Sequence, residues 1–326
     1  MNDTQNFEAP DLRAIRAAAQ RIRPYAHRTP VLTCSSLDTM AGAELFFKCE
    51  NLQKVGAFKF RGAANTVFSL SEEEASRGVA THSSGNHAQA LALAARLRGI
   101  PSHIVMPENS PKVKVAAVRG YGARIVFCAP TQRDRERTLE EVVAETGATF
   151  IHPYNNPGII AGQGTCALEL LEQVSDLDMV MAPVGGGGLL SGTALSCHYL
   201  RPEISVIAGE PKGADDAFRS LRDGRIYPSE NPRTVADGLR TSLGTLTFPI
   251  IRRYVERIVT VEEDSIVAAM RHIWERMKIL IEPSAAVPFA AILEGGLDAQ
   301  SRRIGIVLSG GNVDLDTLPW LQTIVS

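Results

Sequence analysis

Cysteine is scarce in this sequence, and the few cysteines have no spacing that indicates a bridge or a metal site. The 326-residue chain contains five of them: Cys34, Cys49, Cys128, Cys166 and Cys197. Because they are odd in number, scattered and free of any CxxC pair, they exclude a disulfide framework and a cysteine zinc site. We therefore expect a reducing compartment, the cytoplasm.

An excess of basic residues and long apolar runs are also missing. The chain has 34 Lys and Arg against 36 Asp and Glu, a formal net charge of -2, and no basic cluster of the kind that binds nucleic acid. No apolar run approaches the ~18 residues of a membrane span, and residues 1–10 lack the basic and apolar regions of a signal peptide. We expect neither a nucleic-acid partner nor a membrane association.

What the sequence does contain is a regular alternation of short apolar runs and amphipathic stretches. Predicted strands cover residues 78–82, 103–106, 124–128, 149–152, 179–184, 206–209, 258–261 and 304–308. Predicted helices between them cover residues 88–98, 112–119, 133–146, 164–174 and 265–279. This alternation predicts an α/β fold with parallel-rich sheets flanked by helices. The number of crossovers exceeds one open sheet, so we expect two lobes with a cleft between them.

One lysine stands between two aromatic residues in the segment Phe58-Lys59-Phe60-Arg61. A free lysine titrates near ~10.4 and is a poor nucleophile at neutral pH unless burial or a neighbouring cation lowers its pKa. Phe58 and Phe60 are placed to supply the burial and Arg61 the cation, which together prepare a lysine to attack an aldehyde. The alternative is a strand end whose lysine reaches out to water.

The first of three polar turns, residues 81–87, follows a predicted strand and opens a predicted helix. A helix N-terminus presents free N–H groups and the positive end of the helix dipole, so it suits a carboxylate or a phosphate. Simple capping of the helix by Ser83, Ser84 or Asn86 is the alternative.

The second turn contains four consecutive glycines, Gly185, Gly186, Gly187 and Gly188, between a predicted strand and a predicted helix. Glycines allow the backbone to form a nest of N–H donors around a phosphate. A nucleotide is the rival ligand, but neither the GxGxxG nor the GxxxxGK(S/T) pattern is present.

The third turn begins at Ser309, at the carboxyl end of a predicted strand, where open α/β sheets bind their ligands. An ordinary strand-ending turn is the alternative. Taken together, a buried lysine, a glycine nest, a serine hydroxyl and a helix N-terminus match the aldehyde, phosphate, ring nitrogen and substrate carboxylate of a pyridoxal phosphate enzyme.

These segments resemble those of the fold-type II pyridoxal phosphate enzymes, in particular the serine racemase and serine/threonine dehydratase group. The resemblance rests on residues 58–62, 83–87, 185–188 and 309–312, and it extends through residues 160–165, 236–238, 274–278 and 281–283. It implies the two-lobed architecture of the tryptophan synthase β-subunit type. A large cofactor-binding domain would comprise residues 1–74 and 154–326, and a small mobile domain, residues 75–153, would close over the substrate.

The resemblance implies a role for each matching residue. Lys59 would bind the cofactor aldehyde and move the substrate α-proton, and Phe58 would pack on the cofactor. Asn86 would reach the ring hydroxyl, the four glycines would bind the phosphate, and Ser309 would face the ring nitrogen. The implied substrate contacts are Ser83, Ser84, Asn86, His87, Arg135 and Ser242.

Two of these substrate residues are implied to select the reaction and the substrate. Racemases of the group have serine at the position of Ser84, where dedicated dehydratases often have alanine, so Ser84 would be a second acid/base on the face opposite Lys59. Capping of the helix is the alternative role for Ser84. Arg135 would turn toward a second substrate carboxylate, as in 3-hydroxyaspartate, for which its guanidinium is suited.

The segment of residues 209–216 resembles a cation site of the racemase-like group. Glu210, Asp216 and the carbonyl of Ala214 would supply hard oxygen ligands, which suit Mg²⁺ or Ca²⁺. The alternative is two exposed acidic residues with no ligand.

The implied function is elimination of water from L-threonine or L-serine, which gives 2-oxobutanoate or pyruvate plus ammonia, with possible serine racemisation. A 3-hydroxyaspartate dehydratase, a dedicated serine racemase and a β-replacement enzyme of the cysteine synthase kind are alternatives within the fold. A non-catalytic protein that binds amino acids or nucleotides is the alternative outside it. The expected partners are a small amino-acid substrate and a second copy in a homodimer.

Overall fold

The computed structural model describes residues 9–110 and 112–320, so most of the N-terminal stretch considered above for a signal peptide lies outside it. The helices are α1 (Leu12–Ile22), α2 (Ser35–Ala41), α3 (Lys59–Ser69), α4 (Glu72–Arg77), α5 (Asn86–Arg98), α6 (Lys112–Gly120), α7 (Gln132–Thr146), α8 (Pro157–Gln173), α9 (Gly188–Leu200), α10 (Asp216–Asp223), α11 (Thr247–Tyr254), α12 (Glu263–Met277) and α13 (Pro283–Leu293). None of the helices in these ranges combines the length and the apolar character that a membrane span requires.

The strands form two separate sheets. They are β1 (Val31–Leu32), β2 (Glu44–Cys49), β3 (Val79–His82), β4 (Ser102–Pro107), β5 (Arg124–Cys128), β6 (Thr149–Phe150), β7 (Met179–Pro183), β8 (Ser205–Pro211), β9 (Arg257–Val261) and β10 (Arg303–Leu308). The larger sheet has the order β1-β2-β10-β7-β8-β9, and the smaller has the order β5-β4-β3-β6. All pairs are parallel except β1 with β2. The predicted α/β fold with parallel-rich sheets is confirmed.

The central strands are buried on both faces because helices cover them. All five residues of β7 and all six of β4 are buried, as expected for parallel strands between helical layers. One large cluster of buried apolar side chains packs α12 and α13 against β2, β7 and β10. A second cluster packs α3 and α5 against the smaller sheet.

Three helices approach one another through glycines. A Cβ at Gly162 of α8 would lie 2.6 Å from the Cα of Gly62 in α3, and a Cβ at Gly192 of α9 would lie 2.4 Å from the Gly164 amide. Only glycine permits backbones to meet so closely. The start of α3 at Lys59 is thereby fixed against α8, and α8 against α9.

Every predicted strand and helix is present with small shifts of its ends. The largest difference is α8, which begins at Pro157 instead of residue 164. Its first half contains Gly158 and Gly162, whose low helix propensity hid the helix in the sequence. Asn156 caps it, since its side chain accepts a hydrogen bond from the Ile159 amide.

Candidate active site

A cavity of about 670 Å³ lies at the carboxyl ends of strands from both sheets. β3 ends at His82, β7 at Pro183 and β10 at Leu308, and residues at or just after these ends line the cavity. Parallel strands direct their following loops to one edge, so all three predicted turns converge there.

Lys59 is the first residue of α3, and its side chain faces the cavity. Its Nζ donates a hydrogen bond to the Pro153 carbonyl at 2.9 Å and lies 5.2 Å from the centre of the Phe58 ring. Burial lowers the pKa of Lys59 to about 8, although the nearby Glu282 carboxylate acts in the opposite direction. An amine with this pKa is partly neutral at pH 7 and can act as a nucleophile or a base.

The sequence predicts that burial and the Arg61 cation together lower the pKa of Lys59, and of these two causes only burial is confirmed. Arg61 is fully buried and bound to carboxylates, with Nε 2.7 Å from Glu50 and Nη2 2.8 Å from Glu169. Phe60 is likewise buried in the core among α3, α5 and the smaller sheet. Burial of Lys59, and not a free cation beside it, therefore lowers the pKa.

The glycine loop after β7 has the features of an anion nest. A Cβ at Gly186 would lie 2.3 Å from the Tyr154 ring, and Gly187 has a φ of 87°. Within the described ranges, the amides of Gly185, Gly186 and Gly187 donate no hydrogen bond to the protein. Free N–H groups at the start of α9, where the helix dipole is positive, suit a phosphate.

Ser309 and Phe58 line the cavity on the large-sheet side. Ser309 follows β10 and is 2% exposed, and its carbonyl accepts a hydrogen bond from the Phe58 amide at 3.0 Å. The structure therefore brings the lysine segment and the third turn together, although about 250 residues separate them in the chain.

Helix α5 begins in the cavity without a side-chain cap. Its N-cap is Gly85, whose amide donates to Ser83 Oγ at 3.3 Å, and in the described part of the chain no side chain accepts a hydrogen bond from the first-turn amides of the helix. Ser83, Ser84, Asn86 and His87 all line the cavity, so the capping alternative for the serines is wrong. The positive end of α5 is left available for an anion.

His87 is buried behind this turn. Its Nε2 lies 3.2 Å from the Ile151 carbonyl, and burial holds the pKa of His87 well below its usual range. His87 is thus a neutral side chain at pH 7, able to donate one hydrogen bond and accept another.

Asn86 contacts two residues that sequence reasoning did not assign. Its Nδ2 lies 3.0 Å from each carboxylate oxygen of Glu282, and its Oδ1 accepts a hydrogen bond from Asn312 Nδ2 at 2.9 Å. Both partners lie in segments that carried the family resemblance, yet no spacing in the sequence relates them to Asn86. Only the fold reveals this contact.

Arg135 of α7 lines the cavity together with His82 and His152. Its Nε is buried and has no hydrogen-bond partner among the described residues. Burial lowers the pKa of His152 to about 4 and also lowers that of His82, so both rings are uncharged at pH 7. Arg135 is then a cation at the cavity wall that forms no ion pair with a carboxylate of residues 9–110 or 112–320.

Ser242 is the one predicted substrate residue that lies away from the cavity. Its hydroxyl accepts a hydrogen bond from the Ser229 amide at 2.7 Å, and it is not among the described residues that line the cavity. The neighbouring Thr241 lines the cavity instead.

Glu210 and Asp216 are both buried, 1% exposed each, so the alternative of two exposed acids is wrong. Glu210 accepts hydrogen bonds from the amides of Ala217 and Phe218 at 2.8 and 2.7 Å. Burial raises the pKa of Glu210 to about 9 and that of Asp216 to about 6. In the described ranges, both Asp216 oxygens lack a well-aligned hydrogen bond, and no cluster of three or more His, Cys, Asp or Glu residues is present.

These residues fit pyridoxal phosphate. The unbonded amides of the glycine loop suit its phosphate, the amine of Lys59 suits its aldehyde, and Ser309 lies on the same wall of the cavity. The buried Asp216 carboxylate, whose oxygens lack a well-aligned hydrogen bond, likewise fits a cation. Besides Asp216, the sequence predicts only two ligands for this cation, Glu210 and the Ala214 carbonyl.

The chain is similar to proteins of one family. Residues 22–310 match the family described as "Pyridoxal-phosphate dependent enzyme". A beta-hydroxyaspartate dehydratase from Paracoccus denitrificans (strain Pd 1222) is 52% identical over 311 residues, 95% of this chain and 99% of that protein. The crystal structure of a serine racemase from Dictyostelium discoideum is 51% identical with a TM-score of 0.90, covering 94% of this chain and 99% of that one. A threonine deaminase structure from T.th. is 46% identical with a TM-score of 0.89, covering 94% of this chain and 99% of that one.

Proposed function

Because the chain belongs to the pyridoxal-phosphate dependent enzymes, we propose that it eliminates water from a 3-hydroxy amino acid, L-threonine or L-serine. The enamine that remains is hydrolysed by water, so the products are 2-oxobutanoate or pyruvate plus ammonia. The observation that carries the proposal is Lys59, an amine with a lowered pKa in the same cavity as a glycine loop with free amides. The relatives named dehydratase, racemase and deaminase support this reaction class.

Pyridoxal phosphate, when bound, withdraws electrons from the substrate α-carbon, which no side chain can do. Lys59 Nζ takes the α-proton, since its pKa of about 8 makes it a suitable base near neutral pH. The amides of residues 185–187 hold the phosphate. Ser309 would offer a neutral hydroxyl to the ring nitrogen of the bound cofactor. A hydroxyl, unlike a carboxylate, does not keep such a nitrogen protonated, and this would favour rapid expulsion of the β-hydroxyl.

Ser84 is the acid/base for the face opposite Lys59, which gives the enzyme a serine racemase activity beside elimination. Its hydroxyl lies at the uncapped start of α5, in the cavity. Elimination from an L-amino acid requires Lys59 to take the α-proton and a donor to protonate the leaving hydroxyl, whereas racemisation requires a proton to be removed on one face of the α-carbon and returned on the other. The two reactions therefore depend differently on Ser84.

A second candidate substrate, 3-hydroxyaspartate, is favoured by Arg135. Its guanidinium faces the cavity with a buried Nε that has no partner in the described part of the chain. A second carboxylate on the substrate would pair with this guanidinium and accept charge-assisted hydrogen bonds from it. The relative named beta-hydroxyaspartate dehydratase supports this choice.

The experiment that tests the reaction class is a comparison of purified wild-type protein with Lys59→Ala. We expect wild type to show the visible absorbance of lysine-bound cofactor and the variant to lose it while remaining folded. A Lys59→Ala variant that binds pyridoxal phosphate as tightly as wild type and keeps its visible absorbance would contradict the role of this residue. A protein that binds no pyridoxal phosphate would contradict the function.

We also propose a divalent cation at Glu210, Asp216 and the Ala214 carbonyl, either Mg²⁺ or Ca²⁺. Two buried carboxylates that form no ion pair within the described residues are costly unless a cation accompanies them. We expect MgCl₂ to raise the melting temperature of wild type and to leave that of Asp216→Asn unchanged. Equal responses of the two proteins would contradict the site.

The domain limits, the homodimer and the cytoplasmic location stay predictions. The smaller sheet, formed by strands between residues 79 and 150, is compatible with a small domain of residues 75–153 that moves as a lid. Limited proteolysis with and without substrate tests the lid, and sedimentation equilibrium tests the dimer. The five free cysteines are compatible with a reducing compartment.

A further inference from the structure

Glu282 is a buried carboxylate in the cavity wall that the proposed reaction does not use. It precedes α13, is 3% exposed, and makes no capping hydrogen bond to that helix. Gly310 leaves space for it, because a Cβ at Gly310 would lie 2.8 Å from the Glu282 Cδ. The fold therefore directs the carboxylate away from its own helix and into the cavity wall.

Two asparagines from distant segments converge on this carboxylate. Asn86 Nδ2 lies 3.0 Å from both oxygens, and the Asn312 amide donates to one of them at 3.2 Å. Asn312 Nδ2 in turn donates to Asn86 Oδ1 at 2.9 Å and to the Val55 carbonyl at 2.7 Å. The side-chain amide of Asn86 is thus held at its oxygen by Asn312 and at its nitrogen by Glu282.

From this geometry we infer that Glu282 is a positioning residue, which fixes Asn86 so that one Nδ2 hydrogen points at the ring oxygen of pyridoxal phosphate. Both carboxylate oxygens lie 3.0 Å from Asn86 Nδ2, so one hydrogen of this NH₂ group can serve both oxygens and the second is available to the cofactor. This inference rests on the proposed function, since the ring oxygen belongs to its cofactor. Glu282 acts through Asn86 and touches neither the substrate nor the reacting atoms.

The charged groups around Glu282 are Lys59 of α3, Lys114 of α6, and Asp237 in the short helical turn between α10 and α11. Burial raises the pKa of Glu282 to about 7, with Asp237 acting in the same direction and Lys114 against it. The donors that converge on the carboxylate match its ionised form, which accepts at both oxygens. Replacement by glutamine removes one acceptor and places an NH₂ group against the NH₂ of Asn86 or the amide of Asn312.

The test is the dissociation constant of pyridoxal phosphate, measured by fluorescence titration of the apo-protein in four forms: wild type, Glu282→Gln, Asn86→Ala and the double variant. We expect Glu282→Gln to weaken binding about tenfold, as loss of a charge-assisted hydrogen bond does. The double variant should bind no more weakly than Asn86→Ala alone, because Glu282 acts through Asn86. Glu74→Gln is the matched control, since Glu74 also accepts a backbone amide at a helix start but lies outside the cavity.

Two results would overturn the inference: wild-type affinity in Glu282→Gln, or a double variant whose loss equals the product of the single losses. If Glu282→Gln does not fold, Glu282→Asp replaces it. Aspartate keeps the charge, but its side chain is one methylene shorter, so its oxygens lie farther from Asn86. The same loss and the same non-additivity with Asn86→Ala are then expected, and wild-type affinity in Glu282→Asp would contradict the positioning. Failure of wild type to bind pyridoxal phosphate at all would overturn the proposed function, and the inference with it.

Discussion

At the scale of single residues, the reactivity of Lys59 follows from where the chain buries it. The amine lies in a cavity wall, hydrogen-bonded to the Pro153 carbonyl, while the neighbouring Arg61 is neutralised by Glu50 and Glu169. Burial penalises the ammonium form, so the free base is available at neutral pH. This makes the reaction of the apo-protein with pyridoxal phosphate depend on pH in a predictable way.

We expect the rate at which pyridoxal phosphate attaches to apo-protein to rise about tenfold per pH unit up to about pH 8 and then to level off. The sign follows from the lowered pKa of Lys59, because only the neutral amine attacks the aldehyde and that form predominates above the pKa. Stopped-flow absorbance between about pH 6 and pH 10 measures it. A rate that still rises at pH ~10, as for an ordinary lysine, would show that burial does not control this amine.

Ser84→Ala should separate the two activities. We expect D-serine formation and D-serine breakdown to be lost while L-serine or L-threonine dehydration survives substantially, because only racemisation requires a proton donor on the second face. Chiral chromatography and an oxo-acid assay measure the two rates. Ser76→Ala, on the exposed helix α4, is the control. A parallel loss of both activities would indicate that Ser84 holds the substrate instead.

Arg135→Ala should lower kcat/KM for 3-hydroxyaspartate by about tenfold or more and leave L-serine nearly unchanged, because only the dicarboxylate uses the guanidinium. The measurement is kcat/KM for both substrates in each variant. Arg133→Ala is the matched control, since Arg133 lies on the same helix and is exposed. Equal losses for both substrates would contradict a selective role for Arg135.

Residues with strong local signals were predictable, and their partners were not. Lys59 between aromatics, the glycine run and the serine after a strand are each visible in a few adjacent residues. Glu282 and Asn312 were not assigned because each contacts Asn86 across about 200 residues of chain. Ser242 was assigned to the site for the same lack of three-dimensional information. Thr241 lines the cavity and Ser242 does not, and a difference of one position in a turn has no signal in the sequence.

At the scale of elements, the loop after β7 depends on glycine for two different reasons. Position 187 requires glycine because its φ is positive. Position 186 requires glycine because the Tyr154 ring occupies the space that a side chain would fill. Tyr154 therefore limits how the loop can fold. Any added side chain must displace either the ring or the loop.

Gly186→Ala should weaken pyridoxal phosphate binding by about tenfold or more, because the loop must shift and its amides lose their alignment with the phosphate. Titration of the apo-protein with pyridoxal phosphate measures the effect. Gly120→Ala is the control, since a Cβ there meets nothing within 4 Å, and it should bind the cofactor as wild type does. Wild-type affinity in Gly186→Ala would mean that the glycine loop does not bind the phosphate.

Helix α8 shows why the first half of an element can escape prediction while its second half, residues 164–173, is predicted. The glycines that lower its intrinsic propensity are the residues that allow it to contact α3 and α9 backbone to backbone. Packing between helices therefore stabilises a segment that local preference disfavours. Sequence periodicity detects amphipathic helices, but residues 159–168 of α8 are all buried and leave no exposed polar face to reveal this part of the helix.

At the scale of the whole molecule, the cavity exists because two parallel sheets direct their carboxyl ends toward each other. Alternation of strands and helices predicted the α/β class and two lobes, but not that β10, the last strand, would lie between β2 and β7. That strand order brings Ser309 beside Phe58 and Lys59. The order depends on long-range pairing, for which a single sequence carries no local signal.

Contacts across the cavity connect the segment of the smaller sheet to that of the larger. The Lys114 ammonium of α6 lies 2.6 Å from Asp237, and Asn86 of α5 reaches Glu282 and Asn312. The ion pair is partly exposed and contributes little to stability by itself. The contacts of the half-buried Asn86 with the buried Glu282 and with Asn312 are therefore the stronger link between the two segments.

The central claim is that Lys59 and bound pyridoxal phosphate remove water from a 3-hydroxy amino acid. The most direct test is the release of oxo acid and ammonia from L-serine, L-threonine and 3-hydroxyaspartate, measured with cofactor-loaded wild type and with Lys59→Ala. We predict equal amounts of oxo acid and ammonia from at least one substrate with wild type, and neither product with the variant. Wild type that holds the cofactor on Lys59 but releases no oxo acid from any of the three substrates would contradict the claim.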